Sequence, residues 1–99
     1  MTVTRFPPAP GRVLQERVLK GMGLQQAELA RALGLSRARL NMILKGKSHI
    51  TPEVALRLGR VVGPSAEYWL ELRGAWELCQ RGKQLRRELN RLTNLAARA

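Results

Sequence analysis

The sequence predicts an all-α fold of five helices, followed by a basic amphipathic C-terminal helix or tail. Three observations predict it. Apolar residues recur three and four positions apart through most of the chain, which is the period of a helix face. Gly, Pro and capping Ser or Thr interrupt that period at short intervals, so the connections are short. No stretch alternates apolar and polar residues as a half-buried strand would. The 99 residues amount to one domain. A compact chain of that length has a radius of gyration of about 13 Å.

Residues 1–10 hold three prolines and no helical period, and read as an extended arm. Residues 11–80 read as the folded domain. Its first helix starts at Gly11, buries Val13, Leu14, Val18 and Leu19, and stops at Gly21 and Gly23. A second, from about Gln25 to Leu33, turns Leu29, Ala30 and Leu33 inward. Gly34 ends it with the positive φ that a tight turn needs. Ser36 caps a third helix, about Arg37 to Lys45, with Leu40, Ile43 and Leu44 inward and Gly46 as its stop. Thr51, Pro52 and Glu53 read as N-cap, first-turn proline and first-turn acid of a fourth helix. Val54, Leu56, Leu58 and Val61 are its apolar residues, and Gly63-Pro64 ends it. Ser65 caps a fifth, with Tyr68, Trp69, Leu72, Trp76 and Cys79 on one stripe. Residues 81–99 read as a separate extension. Six basic residues there face one acid, Glu88, while Leu85, Leu89, Leu92 and Ala96 keep a helical stripe.

Composition excludes several classes. A single cysteine, Cys79, leaves no internal disulfide and reads as a small buried hydrophobe. The single histidine, His49, reads as a surface loop residue. No Ser/His/Asp set, phosphate-binding loop or metal spacing is present, so neither an enzyme nor a cofactor or metal protein is expected. No apolar run approaches the ~20 residues of a membrane span, and no signal segment opens the chain. A cytoplasmic protein is the expectation.

Charge points to a partner. Lys and Arg number 18 against 7 acids, a net charge of +11. A small domain this basic suits an anionic polymer. Only Lys20, Lys45, Lys47 and Lys83 are lysines; the rest are Arg, which grips phosphate bidentately.

The second and third helices, joined by a few residues around Gly34, have the layout of a helix-turn-helix. Ala30 is small where the helices approach. Gly34 turns, and Leu29, Leu33, Leu35, Leu40 and Ile43 are apolar where the pair must lock into a core. In that layout the third helix enters the major groove and its N-terminal residues read base edges. Arg37, Ala38, Arg39, Asn41 and Met42 are the candidate base readers. Arg37 suits guanine, Asn41 suits adenine, and Ala38 and Met42 suit a thymine methyl. Gln26, Ser36, Lys45, Lys47 and Ser48 are the candidate phosphate contacts. No acid occurs between Glu28 and Glu53, as an electrostatic footprint on DNA requires.

Beyond the motif, "PGRVLQERVL" and the stretch from Gly23 to Leu78 resemble the HigA/VapI-type antitoxins, a branch of the Cro/repressor (XRE) helix-turn-helix superfamily. The most specific blocks are G-K-x-x-I-T-P-E-x-A-L-R-L from Gly46 and S-x-E-Y-W-L-x-L from Ser65. The resemblance implies a lambda-repressor-like five-helix domain that binds operator DNA, usually as a homodimer. It also implies repression of the chain's own operon and neutralisation of a partner toxin, commonly a ribonuclease and often basic. It places Arg37, Arg39 and Asn41 on the reading helix. Where the family usually has a capping Ser or Thr, this chain has Gln25, a weaker cap.

Trp69 and Trp76 lie seven apart on one face. One suits the core, and two on one helix also suit an interface. Trp69, Leu72, Trp76, Leu85, Leu89 and Leu92 are therefore the candidate partner or dimer residues. Two alternatives stand beside the repressor reading: a helix-turn-helix regulator with no toxin partner, and a protein-interaction module that uses the Trp-bearing helix.

Overall fold

The computed structural model describes residues 7–98. It is all-α among those residues, with six α-helices: the five expected and a sixth, short one within the basic extension that was expected to be a helix or tail. Residues 1–6 of the expected arm lie outside the described residues. Pro7–Ala9 are non-helical, and Pro10 opens α1 (Pro10–Val13) at the N1 position that proline tolerates. The chain then continues as a π-helical segment, Leu14–Lys20, rather than as the regular α-helix the periodicity predicts. Its wider turn shows in the Gly21 N–H, which donates five residues back to Glu16 O at 3.1 Å. Gly23, at φ +66°, makes the left-handed stop; Gly21 is still right-handed.

Helix α2 (Gln26–Leu33) starts without a Ser or Thr cap. Glu28 compensates: its carboxylate accepts the Gln25 N–H at 3.3 Å, as in a capping box. Helices α3 (Arg37–Leu44) and α4 (Pro52–Val61) carry the expected caps. Ser36 Oγ accepts Arg39 N–H at 3.1 Å, and Thr51 Oγ1 accepts Val54 N–H at 3.2 Å. Helix α5 (Ala66–Gln84) is capped by Ser65 and runs on past position 80, where the composition changes. Helix α6 (Arg86–Asn90) and a 3₁₀ turn, Leu95–Arg98, follow.

The core draws on every element up to the start of α5. Leu14, Leu29, Leu40, Ile50, Val54, Leu58 and Trp69 are its largest fully buried members. Two expectations change on α4. Leu56 is 66% exposed and Val61 is 38% exposed, while Ala55 is fully buried. The inward face of this helix is Val54, Ala55 and Leu58, adjacent on a 3.6-residue turn, and Leu56 falls on the opposite side. Trp69 is buried to 2% exposure and donates Nε1–H to Gly63 O at 2.9 Å. It is a core residue, so it does not serve the interface role expected of it. Cys79 is half-buried rather than buried.

The radius of gyration is 16.4 Å, against the ~13 Å of a compact chain this long, with extents of 54 × 23 × 22 Å. The excess comes from the end of α5 and the elements after it, which outrun the core. Every described side chain from Lys83 to Ala96 is exposed.

Two close approaches fix α3 against its neighbours. A Cβ at Gly11 would stand 2.5 Å from Leu44 O and 2.7 Å from Ile43 O, so α1 meets the end of α3 backbone to backbone. On the far side, Arg73 of α5 donates Nη1–H to Ile50 O at 3.0 Å and Nε–H to Glu77 Oε1 at 3.0 Å. The same Glu77 oxygen lies 2.7 Å from His49 Nδ1, which ties the loop after α3 to α5. The bond from Arg73 holds the Glu77 carboxyl below its ordinary pKa of 4.5, with charge from Arg73 and His49 adding to it and burial opposing.

Both supports can be tested by substitution. Gly11→Ala forces a backbone displacement and lowers stability by about 1–3 kcal/mol, measured by urea or thermal unfolding. Because Glu77 titrates lower folded than unfolded, its contribution is present above pH 4.5 and lost as pH falls through the lowered value. Glu77→Gln is less stable than the wild type at neutral pH. The gap between the two melting temperatures closes as pH falls below 4.5. A gap that does not change with pH would show that the ionised carboxylate contributes nothing.

Candidate nucleic-acid interface

The turn between α2 and α3 is a Schellman motif. Gly34 adopts φ 70° and ψ 29°, its N–H donates to Arg31 O at 3.1 Å, and Leu35 N–H donates to Ala30 O at 2.9 Å. Arg57 of α4 closes the remaining carbonyls: its Nη1–H donates to Leu33 O at 2.8 Å and Gly34 O at 3.4 Å. A Cβ at Gly34 would meet that guanidinium at 2.6 Å and push Arg57 off the carbonyls it holds, and the φ is one that side chains rarely adopt. The turn thereby fixes α3 across α2 with Leu40, Ile43 and Leu44 buried.

The opposite face of α3 is the surface of interest. Arg37, Ala38, Arg39 and Met42 are exposed, and Asn41 is half-buried. All five sit on one outward side of one short helix, as major-groove reading demands. Ser36 is exposed, with its Oγ already accepting the Arg39 N–H; the hydroxyl proton is still available to an acceptor. Gln26 is exposed at the first position of α2, where the early N–H groups lack helical partners.

After α3 the chain turns sharply. Gly46 adopts φ 75°, and Met42 O accepts the N–H groups of Lys47 at 2.9 Å and Ser48 at 3.2 Å. Those two N–H groups are therefore occupied. Lys45, Lys47 and Ser48 are exposed and offer only side chains. Gln15 supports the same end by donating to Leu44 O at 3.4 Å.

Periodicity does not reveal Arg57, Glu53 or the His49–Glu77–Arg73 group. Glu53 reads in the sequence as a first-turn acid of α4. In the fold its Oε1 stands 3.5 Å from Arg39 Nη1 and 3.4 Å from Arg57 Nε. His49 is a loop residue as expected, yet it is anchored to α5. The sequence signal for these contacts is the i,i+4 spacing of Glu53 with Arg57 and of Arg73 with Glu77; nothing local points to Arg39 or His49.

The remaining candidates divide. Leu72 packs in part against the core, and Trp76 is half-buried beside an open cleft of about 460 Å³ between α1, the loop after α3 and α5. Leu85, Leu89 and Leu92 are 44%, 48% and 70% exposed. Leu78 and Leu95 are exposed too, at 76% and 68%. Among the described residues there is no group of acids, His and Cys able to hold a metal ion, and no helix is long and apolar enough to cross a membrane.

A helix-turn-helix family model matches residues 15–69, which spans α2, α3, α4 and the start of α5. The HTH-type transcriptional regulator YddM of Escherichia coli is 35% identical over 88 residues, covering 89% of this chain and 90% of that protein. Virulence-associated protein I of Dichelobacter nodosus is 44% identical over 69 residues, covering 70% of this chain and 64% of that protein. Among solved structures, Pseudomonas aeruginosa antitoxin HigA with the higBA promoter superimposes with a TM-score of 0.84 at 29% identity, covering 90% of this chain and 98% of that one. Of these, one is described as an HTH-type transcriptional regulator and one as an antitoxin. The chain belongs to the helix-turn-helix regulators, in the group that holds the HigA-type antitoxins and the VapI-like virulence-associated proteins.

Proposed function

We propose that the chain is a sequence-specific repressor that binds operator DNA in its own promoter as a homodimer. We further propose that it is the antitoxin of a ribonuclease toxin encoded beside it. The observation that carries the DNA reading is the outward face of α3: Arg37, Ala38, Arg39, Asn41 and Met42 stand together on a helix fixed by the Gly34 turn, in a stretch without acids from residue 29 to 52. A HigA relative solved with its promoter supports it. Arg37 and Asn41 take the base edges. Gln26, Ser36, Lys45, Lys47 and Ser48 take flanking phosphates.

The homodimer rests on the exposed leucines of the C-terminal part. Leu85, Leu89 and Leu92 form an apolar stripe flanked by Arg86, Arg87 and Arg91, which suits a second copy that also places charge near DNA. Two reading helices in such a dimer sit about 34–36 Å apart on a palindromic site. The antitoxin role rests on the HigA relatives and on the half-exposed Leu72 and Trp76 of α5. A basic toxin would be repelled at long range by a chain as basic as this one. Contact therefore depends on a local apolar surface rather than long-range attraction.

Titration of the protein against a fluorescent duplex from its own promoter and a scrambled duplex, at about 50 and 200 mM salt, tests the first reading. Promoter binding is tighter and falls steeply with salt. Arg37→Ala with Asn41→Ala weakens promoter binding by about 1–3 kcal/mol per lost base contact and leaves the scrambled duplex less affected. Lys47→Ala weakens both duplexes alike and lowers the salt slope by about 1. Equal binding to both duplexes would overturn the reading. Leu89→Glu shifts the protein from dimer to monomer in sedimentation equilibrium and weakens promoter binding without loss of helicity; a dimer that persists would move the interface elsewhere. RNA cleavage by the product of the neighbouring gene falls when this chain is added, and Trp76→Ala relieves that inhibition while promoter binding persists.

A further inference from the structure

The two arginines at the start of α3 are held differently. Arg37 has no ion pair among the described residues, and its side chain is free to reach any acceptor nearby. Arg39 is tethered: its Nη1 stands 3.5 Å from Glu53 Oε1. That oxygen also faces Arg57 Nε at 3.4 Å, and Arg57 is bonded to Leu33 O and Gly34 O at the helix-turn-helix bend. A continuous line of contacts therefore runs from the bend through Arg57 and Glu53 to Arg39. Glu53 is also the first acid after Glu28, placed at the edge of a surface otherwise kept free of negative charge.

A carboxylate beside a DNA-reading surface repels phosphate, so its position calls for a compensating role. The geometry supplies one. A guanidinium has five N–H groups, and the contact with Glu53 engages one nitrogen. The others stay available, and the exposed pair biases them toward one place beside the bend. A base edge met by a guanidinium in a fixed place loses little rotamer freedom. A phosphate lying elsewhere can be reached only by breaking the tether. The first effect favours the correct sequence. The second penalises every other sequence.

We propose that Glu53 is a specificity-determining residue, which positions Arg39 for base edges and withholds it from passing phosphates. The proposal rests on the reading of α3 as the DNA-reading helix. Glu53 touches no DNA in this scheme and acts through Arg39. An exposed ion pair shifts an equilibrium only severalfold, which sets the size of the effect.

The test compares binding to the promoter duplex and the scrambled duplex for the wild type, Glu53→Ala, Glu53→Gln, Arg39→Ala and Arg39→Ala/Glu53→Ala. Glu53→Ala lowers the preference for the promoter about three- to fivefold, the scale of one exposed ion pair. Most of the change is tighter binding to the scrambled duplex, with a salt slope steeper by about 1, as one added phosphate contact requires. Glu53→Gln shifts the preference in the same direction. It carries the test if the alanine variant does not fold; thermal melting checks both. In the Arg39→Ala background, Glu53→Ala raises affinity for both duplexes equally, through lost negative charge, and leaves the preference unchanged. A preference that survives both Glu53 substitutions overturns the proposal, as does an equal fall without Arg39. A wild type that binds both duplexes alike overturns the reading of α3 itself, a result distinct from the other two.

Discussion

How α3 is set against α2 governs everything the outer surface presents, and that angle is held at Gly34. The bend needs a left-handed residue, and its carbonyls need donors. Glycine meets the first need and Arg57, reaching across from α4, meets the second. Neither works alone. A left-handed glycine without Arg57 leaves carbonyls at a helix end unpaired by protein, and Arg57 without the glycine meets a Cβ in its path. From that bend follow the burial of Leu40, Ile43 and Leu44 and the outward direction of Arg37, Ala38, Asn41 and Met42. The other end of α3 is held by equally rigid means: the backbone contact at Gly11 and the loop tied to α5 through His49, Glu77 and Arg73.

Charge is distributed to match. Four of the seven acids are used at caps and in pairs: Glu28 at the start of α2, Glu16 with Arg12, Glu77 with Arg73, and Glu53 between two arginines. The excess of positive charge is thus left on the face of α3, in the loop after it and along the C-terminal extension. These side chains are largely exposed and sit in high dielectric, so they contribute little to folding. Their effect is on long-range attraction and on salt dependence.

The parts of the fold legible in the sequence are those set by neighbours in the chain. Ser36, Thr51 and Ser65 cap the helices they precede, and Gly34 takes the conformation its position requires, because caps and turns are settled within four residues. The α3 candidates lie on the face that the spacing assigns them. Features that depend on packing were not legible. Apolar character alone does not tell that Ala55 is buried and Leu56 exposed, nor that Trp69 fills the core while Trp76 lines a cleft. The π-helical turn after Val13 has a buried stripe that an α-helix would also produce. The link from Arg57 to Glu53 to Arg39 joins two helices separated by a loop; the i,i+4 spacing marks the Glu53–Arg57 half within α4, and nothing local marks the reach to Arg39.

The length of α5 carries one more consequence. Its first turns are cemented by Trp69 into the same core that holds α3, so their order is an intramolecular matter, independent of how much protein is present. From Lys83 to Ala96 no described side chain is buried within the chain. The exposed leucines there gain burial only against another molecule, and that burial is governed by mass action. The chain beyond the core therefore divides: the first turns of α5 are held unimolecularly, and the exposed leucines of α6 and its flanks are open to bimolecular burial. With the second copy proposed above as that molecule, dilution leaves the first untouched and acts on the second, without disturbing the fold that bears α3.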